Sequence, residues 1–279
     1  MTDKILVLGA GGTIGAKVVA ALVAKGENVK AATRKASPVA GAEAVAFDYG
    51  DRATYAAALD GVDRIFVIAP GGYLDPVGLL TPVITAAAER KIKVVLMTVL
   101  GVDADDSIPY RQVELFLEKA GTPFVIVRPN WFSDNFHSYW LDGVRHGTIA
   151  VPAGDGKTSF IDARDIAASI AGALTTNAFD GQAINLTGPE ALGYGQAADI
   201  ISTVTGKTVA YTPVEDAAFI GMLTGAGVPE AYASFLASIF YPVRQGWTAV
   251  ISDGVEKLTG APPRSLAAYA KDNVAALKA

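Results

Sequence analysis

The chain has 279 residues, with 23 Lys and Arg against 28 Asp and Glu for a net charge of −5, no cysteine, and two histidines. Without cysteine there are no disulfides, thiolate metal sites or cysteine nucleophiles, and His137 and His146 form no paired metal-ligand motif. A mildly acidic chain with no basic run lacks the electrostatic footprint of a nucleic-acid binder, while 51% hydrophobic and 18% charged residues describe a globular chain with room for one large or two ordinary domains.

Two segments bear on targeting. Lys4 followed by Ile5-Leu6-Val7-Leu8 imitates a signal peptide, but Asp3 spoils the basic start and glycines interrupt the apolar run. Residues 217–243 carry one charge, Glu230, and reach membrane-spanning length. Gly225, Gly227 and Pro229 break them, so two short buried helices are expected instead of a span. The expectation is a cytoplasmic protein that meets neither membrane nor nucleic acid.

In chain order, β-branched runs alternate with alanine-rich helical patterns. Strands are expected at 5–8, 28–33, 44–47, 64–69, 94–98 and 124–127, and helices at 16–25, 52–59, 77–90 and 110–120. Such alternation means right-handed βαβ crossovers and a parallel sheet. After Arg128 the rhythm changes to a polar aromatic stretch, a glycine-rich loop at 154–157, a helix at 162–174 and a strand at 183–186. The remainder is mostly helical, with one clear strand at 209–211. The fold class is therefore α/β: a Rossmann-type, doubly wound parallel sheet with a smaller, mostly helical C-terminal lobe. The expected boundaries are 1–150 for the dinucleotide-binding domain, with the chain crossing back around 157–180, and 181–279 for the substrate-side lobe, a cleft lying between them.

The first strand runs straight into Gly9-Ala10-Gly11-Gly12-Thr13-Ile14-Gly15 and then a helix. The glycines at 9, 12 and 15 serve a tight turn, close approach of backbone to a pyrophosphate, and close packing of helix on strand, respectively. Backbone N–H groups at the helix N-terminus then face the anion, aided by the helix dipole, and Gly9, Gly11, Gly12, Thr13, Ile14 and Gly15 are the loop's cofactor-binding candidates. In that context the loop reads as a dinucleotide site rather than a merely flexible turn. At the end of the second strand stand Thr33-Arg34-Lys35, where an NAD site usually carries an acid. Arg34 can pair with a 2′-phosphate, so NADP (NADPH) is the expected cofactor. Asp48 is placed to reach the adenine amino group or to cap the following helix, a role Asp51 fills more naturally. Ala69 and Pro70, closing the fourth strand, are further cofactor-side candidates.

Carbonyl reductases of the short-chain type use a Tyr and a Lys four residues apart, with a Ser after the preceding strand. Counted back from Gly121, the Lys position falls at Tyr110 and the Tyr position at Asp106, so neither matches. Thr98 is the one hydroxyl left at the end of the fifth strand, near the expected nicotinamide. Tyr110 is a candidate proton donor or an aromatic packed at a helix start. His137 lies among Trp131, Phe132, Phe136, Tyr139 and Trp140, a cluster that either lines a flat pocket or forms ordinary core.

These segments resemble the NmrA-like branch of atypical short-chain dehydrogenases/reductases, which includes bacterial NADPH-dependent quinone reductases and triphenylmethane dye reductases. The resemblance is carried by the glycine loop, Phe47-Asp48, Leu59-Asp60-Gly61-Val62-Asp63, Arg128-Pro129-Asn130-Trp131-Phe132 with Asn135, Asp162-Ala163-Arg164-Asp165-Ile166-Ala167, Leu186-Thr187-Gly188-Pro189-Glu190-Ala191 and Thr205-Gly206-Lys207. It implies NADPH in the groove and a flat acceptor between the lobes. Arg34 would hold the 2′-phosphate, and Arg164 would lie near the cofactor or pair with Asp162 or Asp165. Asn130, Trp131, Phe132, Asn135 and His137 would line the nicotinamide and substrate side. Asn130 stands where several quinone reductases have Gly, and Tyr110 where they have His. With Thr98, these two complete the catalytic candidates. The functional expectation is an NADPH-dependent reductase of a quinone or similar flat, conjugated acceptor, with a homodimer as a further possibility. The alternative is a non-catalytic NADP(H) redox sensor acting through a protein partner.

Overall fold

The computed structural model describes residues 4–278. Its strands are β1 (Lys4–Val7), β2 (Asn28–Thr33), β3 (Glu43–Ala46), β4 (Arg64–Ile68), β5 (Lys93–Met97), β6 (Phe124–Pro129), β7 (Thr148–Val151), β8 (Lys157–Thr158), β9 (Gln182–Leu186), β10 (Leu192–Gly193) and β11 (Ala210–Pro213). The helices are α1 (Thr13–Ala24), α2 (Ala53–Leu59), α3 (Pro76–Glu89), α4 (Pro109–Lys119), α5 (Leu141–Arg145), α6 (Ala163–Thr175), α7 (Tyr194–Thr205), α8 (Asp216–Gly225), α9 (Glu230–Ser238), α10 (Tyr241–Arg244), α11 (Gly254–Thr259), α12 (Leu266–Asp272) and α13 (Val274–Lys278).

One compact unit runs to Pro129 and adds Ala163–Leu186 and Gly254–Ala261. Its sheet has the order β3-β2-β1-β4-β5-β6-β9, and every pairing is parallel. β1, β4, β5 and β6 are buried on both faces, which is why they read as apolar runs, whereas the edge strand β3 is largely exposed. Leu6, Leu8, Ile65, Val67, Val94, Leu96 and Ile126 share one core with α2, α3 and α4. On the other face α6 packs on α1 and reaches β4, β5 and β6. The strand order reverses between β1 and β4, and ligands of open α/β sheets bind at the carboxyl ends beside such a switch point.

The second unit comprises Asn130–Asp162, Thr187–Asp253 and the residues from Pro262 onward. The chain thus leaves the sheet where β6 ends, not near residue 150, and it returns as far as Leu186 because β9 pairs along β6 from Val125↔Gln182 to Pro129↔Leu186. Within this unit β11 lies parallel to β7 and β10 antiparallel to β8, so the lobe holds more strand than the single run expected from its sequence. Its core joins Phe136, Phe160, Tyr194 and Phe240 to Ile149, Ala197, Ile201 and Leu266.

Residues 217–243 do form short helices, α8, α9 and the start of α10, but α8 and α9 are not the buried pair expected. Phe219 is the only buried residue of α8, and Ala233 and Ala237 those of α9, while Met222 and Phe235 stay exposed. Among the described residues no helix is long and apolar enough to cross a membrane.

Candidate cofactor and active site

The glycine loop turns within hydrogen-bonding distance of itself. Gly9 sits at φ 67°, in the left-handed region that a side chain disfavours, and Gly12 N–H donates to the Gly9 carbonyl at 2.9 Å. α1 begins inside the loop, at Thr13 rather than Ala16, with Gly12 as an extended N-cap that offers no side-chain acceptor and no acid in the first turn. A Cβ on Gly15 would stand 2.1 Å from the Gly9 oxygen, and one on Gly9 would stand 3.3 Å from Ile68 Cγ2. Gly15 therefore has no room for a side chain, and Gly9 holds a backbone conformation that disfavours one. Gly9, Gly11, Gly12 and Thr13 are exposed at its rim while Ile14 and Gly15 are buried beneath. This geometry fits a dinucleotide pyrophosphate, with N–H groups and a helix dipole supplying the positive end.

Neighbouring strand ends complete the rim. Ala10 N–H donates to Ala32 O of β2 at 3.1 Å, which brings the loop alongside Thr33 and the exposed Arg34 that follows it. β4 ends at Ile68, so Ala69 and Pro70 leave the sheet next to Gly9. Asp48 accepts the Gly50 N–H at 2.9 Å, forming a local turn, while Asp51 accepts Ala53 N–H at 3.0 Å beside the start of α2. Tyr49 donates its hydroxyl to Ile68 O at 2.6 Å, and burial pushes its phenol well above the ordinary value.

At the ends of β5 and β6 the structure assembles a polar cluster that reading the sequence did not find. Thr98, buried just past β5, donates its hydroxyl to Glu114 Oε1 at 2.6 Å. Arg128 of β6 donates from Nε to the same oxygen at 2.9 Å, from Nη2 to Glu114 Oε2 at 2.7 Å, and from Nη1 to Asp103 at 2.6 Å. Arg111 Nη1 reaches Glu114 Oε2 at 3.0 Å and also Glu118, with Nε on Asp106. Burial works against the Arg128 charge, but the hydrogen bonds and charge of Glu114, with Asp103, outweigh it and hold the pKa above arginine's ordinary value. The signal available in the sequence was spacing: Glu114 lies one helical turn beyond Tyr110, with an arginine directly before Pro129-Asn130. Tyr110 itself is partly buried against the core of α2, α3 and α4.

In the second unit Asn130 is buried, and its amide is engaged at both ends. Nδ2 donates to Ser159 Oγ at 2.7 Å and Thr248 O at 2.8 Å, and Oδ1 accepts Trp131 N–H at 2.9 Å. Trp131 packs on Phe240 and Trp140, with ring centroids 4.7 and 5.9 Å away. Phe132 bridges to Ile161, and Asn135 O accepts Trp140 N–H at 2.8 Å. The His137 ring stacks on Tyr269, and its Nδ1 shares a hydrogen bond with the Tyr269 hydroxyl. Much of the aromatic stretch is thus lobe core, Phe136 completely so, while Trp131, Phe132, Asn135 and His137 are half-buried at its edge. Arg164 is half-buried in the first turn of α6, within the first unit.

Compared with known proteins, residues 1–245 match the model of the NmrA-like family. The chain belongs to the NmrA-like family. An NAD(P)H azoreductase of Xenophilus azovorans is 33% identical over 99% of this chain and 99% of its own. The NADPH complex of quinone oxidoreductase QOR2 from Escherichia coli superposes with a TM-score of 0.85 at 26% identity, covering 96% of this chain and 99% of that one. The NADP(H) complex of triphenylmethane reductase from Citrobacter sp. gives a TM-score of 0.82 at 25% identity, covering 98% and 99%.

Proposed function

We propose that this chain is an NADPH-dependent reductase that delivers hydride to a quinone or a comparably flat, conjugated acceptor. The single observation that carries the reading is the glycine loop from Gly9 to Gly15, turned by Gly9 and closed on Gly15, with Arg34, and no acid, at the neighbouring end of β2. Likeness over nearly the whole length to an azoreductase, a quinone oxidoreductase and a dye reductase supports the coarser assignment to the NAD(P)H-dependent oxidoreductases.

In this reading the N–H groups at the start of α1 bind the pyrophosphate, and Arg34 pairs with the 2′-phosphate by charge-assisted hydrogen bonds. Ala69 and Pro70 flank the cradle from β4. The cofactor, when bound, supplies the hydride. No Tyr-x-x-x-Lys pair lies on α4, and the Thr98 proton is committed to Glu114. A quinone needs little help from a protein acid: after accepting a hydride at one oxygen it takes its proton from water, giving the hydroquinone. A general acid worth about 10²–10⁴ in rate is then dispensable. Asn130 serves by holding the chain after β6 in place rather than by donating to the acceptor, since its amide is already occupied.

The test is NADPH oxidation by the purified chain across a panel of benzoquinones, naphthoquinones and azo dyes. Acceptor-dependent turnover above background is expected. Tight NADPH binding without turnover on any acceptor would leave the redox-sensor reading in its place.

A further inference from the structure

We propose that Glu114 is a positioning residue of the reductase: it sets the spacing and hydrogen-bond polarity of the carboxyl ends of β5 and β6. The inference rests on the reductase reading and adds a residue to it. The Glu114 side chain is wholly buried, yet it is a carboxylate that receives four donors on two oxygens. Those donors come from three places: Thr98 just past β5, Arg128 near the end of β6, and Arg111 one turn earlier on α4. Arg128 also holds Asp103, in the connection between β5 and α4. A single carboxylate thus ties two strand ends and their connection to one helix.

Stability alone does not require this arrangement. Well-packed apolar residues commonly hold a core as well as a buried ion pair does. What an ion pair adds is direction. The Arg128 guanidinium, held through Nε and Nη2, has one geometry on the carboxylate. The Thr98 hydroxyl has one proton and gives it to Glu114, so toward any other group it can only accept. Backbone bonds carry the alignment outward: Thr98 N–H to Val127 O and Leu100 N–H to Pro129 O, both 3.0 Å. The residues so aligned lie at the carboxyl ends of the sheet, where open α/β folds bind ligands. The glycine loop and Arg34 follow β1 and β2, across β4 from this cluster. Cofactor affinity and catalytic alignment are therefore separable.

The experiment measures NADPH binding by calorimetry and steady-state reduction of a simple naphthoquinone for the full chain, Glu114→Gln, Thr98→Val and the double variant. Wild-type turnover is measured first. If the naphthoquinone is not reduced, an acceptor from the panel that is reduced takes its place, and absence of turnover on every acceptor refutes the reductase reading and this proposal with it. Given turnover, Glu114→Gln is expected to lower kcat by roughly ten- to a hundredfold, the scale of a misplaced reacting geometry, with the Kd for NADPH close to wild type. Thr98→Val should lower kcat in the same direction, and the double variant should be no worse than Glu114→Gln, because both changes break one linkage. Unchanged kcat in a folded Glu114→Gln, parallel loss of NADPH binding, or full additivity would overturn the positioning role. If Glu114→Gln does not fold, Thr98→Val decides alone: retained kcat overturns the proposal, and lost kcat with retained NADPH binding supports it.

Discussion

The carbonyl oxygen of Gly9 lies 2.1 Å from where a Cβ on Gly15 would stand. The two residues sit at opposite ends of the loop, so the contact fixes how closely α1 approaches the end of β1. No side chain, however small, fits without moving one against the other. Gly15→Ala should cost roughly 1–3 kcal/mol, as overpacking of a tight contact does, and should weaken NADPH binding by displacing the N–H groups of the first turn. Thermal unfolding with and without NADPH checks both: a smaller cofactor-induced rise in Tm than in the parent chain is expected.

Arg34 provides a charge test. It is exposed directly after β2, alongside the glycine loop. Arg34→Glu should weaken NADPH by roughly ten- to a hundredfold, the scale of one charge-assisted contact, and NADH far less, because only NADPH carries the 2′-phosphate. Calorimetric titration of both cofactors decides it, and equal losses would refute the assignment.

Tyr49 gives a prediction at high pH. Burial raises its folded-state pKa above the unfolded value near 10. The unfolded chain therefore loses this proton first, so the stability it contributes is complete below about pH 10 and falls as pH rises further. Burial raises Tyr55, Tyr194 and Tyr211 in the same direction. Tyr49→Phe should cost about 0.5–1.5 kcal/mol at neutral pH by deleting the hydrogen bond to Ile68 O. It should also make the alkaline loss shallower by one proton, at most about 1.4 kcal/mol per pH unit. Urea unfolding at a series of pH values from 8 to about 11 measures the slope.

Asn130 is a clamp of the second unit. Asn130→Ala removes the donor to Ser159 Oγ and Thr248 O. Leaving buried acceptors unsatisfied costs about 1–3 kcal/mol. A reduced midpoint in urea is expected, and Asn130→Asp, which replaces the donor with a further acceptor, should do no better.

Legibility from sequence followed the range of the interaction. The six strands up to Phe124–Pro129 and their intervening helices were read within a few residues, because short β-branched runs alternate with alanine-rich helical patterns on a local scale. α1 was the informative miss at a boundary: it starts three residues early because the last glycine of the loop already belongs to the helix. The chain passes to the second unit after Pro129 instead of near 150, and its return extends to Leu186 instead of 180 for a long-range reason, since only pairing with β6 places those residues in the first sheet. The aromatic stretch from Trp131 to Trp140 left core and pocket undecided, and packing against Phe160, Tyr194 and Phe240 assigned much of it to the core.

The amino-acid order alone determined the parallel α/β class, the glycine loop and a basic residue at the end of the second strand, since each is a local pattern of residues. Only the tertiary structure decided that Thr98, Asp103, Arg111, Glu114 and Arg128 form one cluster, because strand order, not chain distance, sets which side chains meet and which charges lose their water.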